Sequence, residues 1–262
     1  MPMKTVVYQS YRTTAVAPWI SRALETVRRW AADRGFAYEL VDDALFDTVP
    51  TWFREKVGGH KVIMSDLARL HVGKRLLQQY DRAVWVDADV VVFDPDRLEI
   101  EAPAGYALCR EGWLSRTPEG HLSWSSRANN MALVLCRDNP FVDFYIHACE
   151  SIVREARGPV GNLDVGTRFL TILSQAMPLP LLTSFTVLSP LLLAAIRQGD
   201  EARLEIYMKK LGAPVRAANL CHSFRGQRVD GVLVDDALFE AVTERLIETR
   251  GALLNRFVGE RG

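Results

Sequence analysis

The chain has little that would single out a specialised class. Four cysteines in 262 residues, at positions 109, 136, 149 and 221, form no CxxC pair. Neither a zinc knuckle nor a redox dithiol is therefore indicated. Cys109, Cys136 and Cys149 lie in apolar runs and read as small buried hydrophobes, a usage that fits a reducing compartment and a cytoplasmic location. There is no excess charge of either sign: 32 basic residues balance 32 acidic ones. That argues against nucleic acid as a partner, which calls for a large basic surface. No long apolar stretch follows Met1, so a secretory signal is not expected. Residues 169–196 carry no charge, but Pro178, Pro180 and Pro190 interrupt them. A core helix, a loop and a buried strand describe the stretch better than a membrane span. Peripheral membrane contact stays open. There is no low-complexity segment. The string Val-Asp-Asp-Ala-Leu-Phe occurs at 41–46 and 234–239 with nothing matching around it, so no repeat architecture is implied.

What is present is an alternation of elements. Lys4 to Tyr8 reads as a strand. Pro18 opens a helix whose apolar residues Ile20, Ala23, Leu24, Val27 and Ala31 follow at helical spacing up to Gly35. Phe36, Tyr38 and Leu40 alternate as a second strand, Val62 to Gln79 reads as a helix, and Ala83 to Val86 as a short buried strand. Strand, helix, strand, helix, strand implies an α/β fold with a central, mostly parallel sheet flanked by helices. Farther along, Tyr106 to Cys109 and Met131 to Cys136 read as strands separated by a polar loop, Glu111 to Asn130. Helices are expected from Pro140, from about Asp164 or Thr167, over Pro190 to Lys210 and over Asp235 to Phe257. No domain boundary stands out, so 1–262 reads as one domain.

Three clusters carry chemistry. Asp87 and Asp89 end an apolar strand, where ligands of such sheets bind. Two carboxylates this close repel unless a hard cation compensates them, and Mg²⁺ or Mn²⁺ takes one or two carboxylates together with phosphate oxygens. On the second expected helix, Ser65, Asp66 and Arg69 share a face, an arrangement suited to a sugar or ribose hydroxyl and a phosphate. The third cluster, Cys221 to Arg228, offers His222 as a further metal ligand and Arg225 or Arg228 as a diphosphate grip. Trp113, His121 and Trp124 in the polar stretch suggest acceptor binding.

The segment Tyr80 to Val92 resembles the donor-binding segment of glycosyltransferase family 8, the glycogenin and lipopolysaccharide-galactosyltransferase group. Gln9-Ser10-Tyr11, Pro18-Trp19 and Ser65-Asp66-x-x-Arg69 resemble family 32. The resemblance implies a single GT-A (Rossmann-like) domain, with a donor-binding part over about 1–100, an acceptor and catalytic part over about 101–230, and a C-terminal helix at 235–257. It implies a metal-dependent hexosyltransferase using a UDP- or GDP-sugar with retention of configuration, acting on a glycan, lipopolysaccharide or small-molecule acceptor. By the same resemblance, Asp87, Asp89 and His222 hold Mn²⁺ or Mg²⁺. Gln9, Ser65, Asp66, Arg69, Asp87, Asn129, Arg225 and Arg228 bind the donor, and Asn130 and Asp164 stand by the reacting sugar. The match departs from family 8 at Val165, where that family has glutamine, and at Arg228, where it has lysine. Two other readings remain. One is a haloacid-dehalogenase-like phosphatase, with Asp87 as nucleophile and Asp235-Asp236 as a late acidic motif. The other is a sugar-nucleotide-binding module without turnover.

Overall fold

In the computed structural model, residues 3–259 are described. The elements run, in order, β1 (Thr5–Ser10), α1 (Pro18–Asp33), β2 (Ala37–Val41), α2 (Thr51–Lys56), α3 (Lys61–Leu76), β3 (Arg82–Val86), β4 (Val90–Val92), β5 (Tyr106–Arg116), β6 (Leu122–Cys136), α4 (Phe141–Glu155) and α5 (Thr167–Ala176). There follow β7 (Leu181–Leu182), β8 (Phe185–Val187), α6 (Pro190–Gln198), α7 (Glu201–Leu211), β9 (Ala217–Asn219), β10 (Arg228–Val229), β11 (Val232–Leu233), α8 (Asp236–Glu248) and α9 (Ala252–Asn255). The fold is α/β, as its alternation implies. A six-stranded sheet runs in the order β2-β1-β3-β6-β5-β7 and a smaller one in the order β4-β9-β8. The large sheet is mixed. β1 pairs in parallel with β2 and β3, and β5 with β7, whereas β6 runs antiparallel between β3 and β5.

Local chemistry accounts for these elements. Pro18 starts α1 because a proline ring presets the helical φ and the first turn needs no N–H from it. Ile20, Ala23, Val27 and Ala31 then bury one stripe against the sheet. The chain leaves α1 through Gly35, whose φ of 69° suits glycine. The uncharged stretch at 169–196 divides into α5, the buried β8 and α6, and among the described residues no helix is long and apolar enough to cross a membrane. Cys109 and Cys149 are buried and Cys136 is half-buried; all four cysteines are free. The repeated hexapeptide takes two forms. At 43–48 the chain makes a 3-10 turn, while Asp235 caps α8 by accepting the Leu238 N–H.

Three expectations are corrected. The stretch 111–130 is not a loop: β5 and β6 continue through it as one long hairpin, with Glu111 opposite Arg127 and Leu114 opposite Trp124. One helix over 190–210 becomes two, because Gly199 adopts φ 72° and the Asp200 side chain caps the second through the Arg203 N–H. The helix expected over 235–257 is likewise broken between α8 and α9, where Arg250 and Gly251 both have positive φ.

The passage from β3 to β4 sets the position of the two aspartates. The chain leaves the large sheet at Val86, turns at Asp87-Ala88-Asp89, and enters the small sheet at Val90, which pairs with Asn219 of β9. The turn thus lies at the seam between the sheets. One wall of that seam is α3, held against β1 by the Tyr8 hydroxyl, which donates to the Arg69 carbonyl at 2.7 Å. Gly73 permits the approach: a Cβ there would collide with the Tyr8 hydroxyl and come to 3.0 Å from Leu135 Cδ1. Gly73→Ala is therefore expected to destabilise the protein by about 1–3 kcal/mol, the usual cost of overpacking, measured by urea unfolding. An unchanged midpoint would mean that α3 does not rest on Tyr8 in this way.

Candidate active site

A cavity of about 680 Å³ opens over this turn. Its walls include Ser65, Asp66 and Arg69 of α3, Asp87 and Asp89 of the turn, Asn129 and Asn130 of β6, and His222 and Arg225 after β9. Residues expected from four separate stretches of sequence thus meet in one place. The sheets bring them there: β3 delivers the turn, β6 lies beside β3, and β9 lies beside β4.

Arg69 organises the floor. Its guanidinium is buried and makes five contacts: Nε to the Ser65 carbonyl at 3.1 Å, Nη1 to the Asn130 carbonyl at 2.8 Å and to Asp87 Oδ1 at 3.1 Å, and Nη2 to Ser65 Oγ at 3.3 Å and to Asp66 Oδ1 at 3.1 Å. These match the five N–H donors the group possesses. The Trp85 ring lies 4.9 Å from the guanidinium carbon, and its indole N–H donates to Asp87 Oδ1 at 2.7 Å. Arg69 therefore orients Asp66 and Asp87. A phosphate reaching Arg69 from the cavity would compete with these partners.

The two turn aspartates are held differently. Asp89 accepts the Asn219 side-chain N–H at 2.7 Å and the His222 backbone N–H at 2.8 Å. Asp87 faces Arg69 and Trp85, with Asn219 Nδ2 at 3.4 Å from its second oxygen. Burial pushes the Asp87 carboxyl up to about 6, against the pull of Arg69 and with a further push from Asp89. Burial also raises Asp89, while the His222 N–H restrains it. Two crowded carboxylates that resist ionisation fit a hard divalent cation, which favours their charged forms and accepts oxygen ligands. His222 contributes its backbone to this arrangement. Its ring sits between Tyr11 and Trp19, with centroids 6.0 and 5.6 Å away. Burial, then Arg225, lowers its pKa, favouring the neutral imidazole that a metal requires. Among the described residues, no three His, Cys, Asp or Glu side chains are gathered as metal ligands.

The remaining expected residues occupy distinct positions. Asn130 donates to Asp66 Oδ1 at 2.9 Å and to the Tyr145 hydroxyl at 3.1 Å, and is a buried strut as well as a wall residue. Asn129 donates to Glu111 Oε2 at 2.6 Å and to Thr167 Oγ1 at 3.1 Å. Arg225 lines the cavity with its guanidinium against Asp236. Three residues lie off the cavity wall. Gln9 is fully buried behind it, donating to the Asp87 carbonyl at 3.1 Å and accepting from the Tyr38 hydroxyl at 3.0 Å. Asp164 closes a turn by accepting the Gly161 N–H at 2.7 Å and pairs with Arg168. Arg228 donates to the Gly231 carbonyl within the β10–β11 hairpin. Sequence reasoning missed Glu111, Arg127 and Asn219. Asn219 is a lone polar residue within Ala217-Ala218-Asn219-Leu220-Cys221.

A raised carboxyl pKa has a definite sign in stability. Between pH 4 and 6 the folded state retains the Asp87 proton that the unfolded chain releases, so this group's contribution to stability falls as pH rises through that window. Asp87→Asn removes the titration. In EDTA, the stability of the variant relative to wild type is expected to climb from pH 4 to pH 6, measured by thermal unfolding. A flat difference would contradict the buried, crowded state of Asp87.

The sequence matches no protein-family model and no curated protein. Solved structures do align with it. A glycosyltransferase involved in the glycosylation of the major capsid of PBCV-1 aligns over 91% of this chain and 98% of its own, at 9% identity and TM-score 0.47. Mouse xyloside xylosyltransferase 1 aligns over 84% of this chain and 98% of its own, at 13% identity and TM-score 0.41. The PaToxG glycosyltransferase aligns over 96% of this chain and 87% of its own, at 12% identity and TM-score 0.41. Likenesses at this level say nothing of residues or activity.

Proposed function

We propose that the protein is a glycosyltransferase that moves a sugar from a nucleoside diphosphate sugar to an acceptor hydroxyl with the aid of Mn²⁺ or Mg²⁺. The observation that carries this reading is the pair Asp87 and Asp89, fixed side by side on the floor of one cavity by Arg69, Trp85, Asn219 and the His222 amide. The resemblance of the Tyr80–Val92 and Ser65–Arg69 segments to families 8 and 32 supports the same conclusion and suggests a UDP- or GDP-sugar.

In this reading, Asp87 and Asp89 would hold a divalent cation, which would supply charge neutralisation for the departing diphosphate. The protein's own groups then do the rest. Asp66, oriented by Arg69 and Asn130, accepts hydrogen bonds from sugar hydroxyls, and Ser65 stands beside it on the same wall. Gly166 leaves room for this, since a Cβ there would lie 2.6 Å from Asp66 Oδ2. Arg225 and His222 line the same cavity, Arg225 paired with Asp236 and His222 with its ring packed between Tyr11 and Trp19, and they would flank a diphosphate held there. The acceptor oxygen would form its bond to the anomeric carbon as the bond from that carbon to the diphosphate breaks, the electron pair leaving with the diphosphate and the hydroxyl proton passing to the leaving phosphate oxygen or to solvent. The phosphatase reading loses its late motif: Asp235 caps α8 and Asp236 holds Arg225 and the Trp19 indole, and neither lines the cavity.

A thermal-shift panel with UDP, GDP, CDP and their sugar conjugates, each with Mn²⁺, Mg²⁺ or EDTA, tests the reading. A metal-dependent rise with one nucleotide is expected, with Asp89→Ala lowering sugar turnover about 1,000-fold or more. Near-normal turnover in that variant would refute the assignment. Binding without turnover would leave a binding module.

A further inference from the structure

One carboxylate in the cavity has no part in donor chemistry. Glu111 lies on β5 opposite Arg127, two residues before Trp113, so Glu111 and Trp113 project from the same face of the hairpin. Both line the cavity, as do Arg127, Asn129 and Thr167. Glu111 is only 4% exposed. Its Oε2 accepts the Asn129 N–H at 2.6 Å, while Oε1 has Arg127 Nη1 at 3.8 Å, beyond hydrogen-bond reach. With only the longer ion pair to Arg127, Glu111 Oε1 keeps hydrogen-bonding capacity for a ligand hydroxyl in the cavity. Burial raises its pKa, which agrees with a poorly solvated group. Glu111 also belongs to the same chamber as the aspartate pair: after burial itself, Asp89, Glu111 and Asp87 all act to raise the Cys221 thiol.

The aromatic residues of the hairpin divide between its faces. Trp124 packs at 5.6 Å against Tyr207, away from the cavity. Trp113 is half-buried, lines the cavity and lies 5.9 Å from the Phe224 ring. An indole beside a hydrogen-bond-hungry carboxylate, an amide and a guanidinium matches a sugar ring, which is apolar on its faces and ringed with hydroxyl donors and acceptors.

We infer that Glu111 and Trp113 form the acceptor subsite and that the acceptor is a saccharide, its ring against the Trp113 indole and a hydroxyl donating to Glu111. This rests on the transferase reading and names the substrate class for it. Asn129 donates to Glu111 in this subsite, and Asn130, its neighbour in β6, donates to Asp66 on the donor wall.

The test uses the full chain, the nucleotide sugar selected by thermal shift, and the methyl glycosides of glucose, galactose, mannose and N-acetylglucosamine as acceptors. Wild type is expected to glycosylate at least one of them. Glu111→Gln keeps the shape and the bond from Asn129; Trp113→Ala removes the ring and Trp113→Phe keeps a smaller one. The first two variants are expected to raise the acceptor KM about 10-fold or more, the worth of one good contact, with the phenylalanine variant between them and wild type. The nucleotide-induced thermal shift should keep its wild-type size in all three, which also shows that they fold. Unchanged acceptor KM values in the variants would overturn the inference alone. So would transfer to a Ser/Thr-containing peptide with none to any glycoside. No nucleotide shift in wild type would overturn the transferase reading with it.

Discussion

Arg69 carries a full positive charge into a wall nearly closed to water, and the cavity is arranged around satisfying it. Its five contacts tie together α3, the strand β6 through the Asn130 carbonyl, and the turn after β3 through Asp87. Removing one member of such a cluster leaves uncompensated buried charge, which typically costs about 3–5 kcal/mol. The arrangement also explains why Asp87 tolerates the cavity floor: the guanidinium opposes the desolvation and the repulsion from Asp89 that otherwise drive it toward its neutral form. Tyr8 and Trp85 complete the support from beneath, one holding the Arg69 carbonyl and the other holding both the guanidinium and Asp87.

The second constraint is the break between the sheets. A strand that ended in solvent would leave Asp87 and Asp89 hydrated and apart from the rest of the chain. Here the chain steps directly into β4, and the ladder with β9 brings in Asn219 and His222 to fix Asp89. The two aspartates therefore take their partners from different layers, Asp87 chiefly from the large sheet and α3, Asp89 from the small sheet. The donor reading depends on that convergence, and the acceptor reading extends it along the hairpin to Glu111 and Trp113.

Much of this was legible in the residues themselves. The apolar run Ala83–Val86 ending in two aspartates marks a strand end in an α/β sheet, and Ser65, Asp66 and Arg69 at helical spacing mark one face of a helix. What escaped notice has a physical cause. The hairpin β5–β6 looked like a loop because one of its faces lines a cavity and carries Glu111, Trp113, Arg127 and Asn129, where a core-facing strand would alternate apolar side chains. Glu111 was hidden with it. The broken helices were announced by Gly199-Asp200 and by Gly251, but an apolar period on either side outweighed them. The burial of Gln9 against the Asp87 carbonyl and the Arg69 bond to the Asn130 carbonyl span 78 and 61 residues of chain, which local pattern does not contain.

The proposed chemistry stands or falls on Asp87 and Asp89 together holding a divalent cation in concert with a nucleoside diphosphate. Titration of Mn²⁺ followed by electron paramagnetic resonance, with and without the nucleotide that shifts the melting temperature, addresses this directly. Weak Mn²⁺ binding is expected, tightening when the nucleotide is present and lost in Asp89→Asn. Mn²⁺ binding that is indifferent to nucleotide, or unchanged in Asp89→Asn, would contradict it.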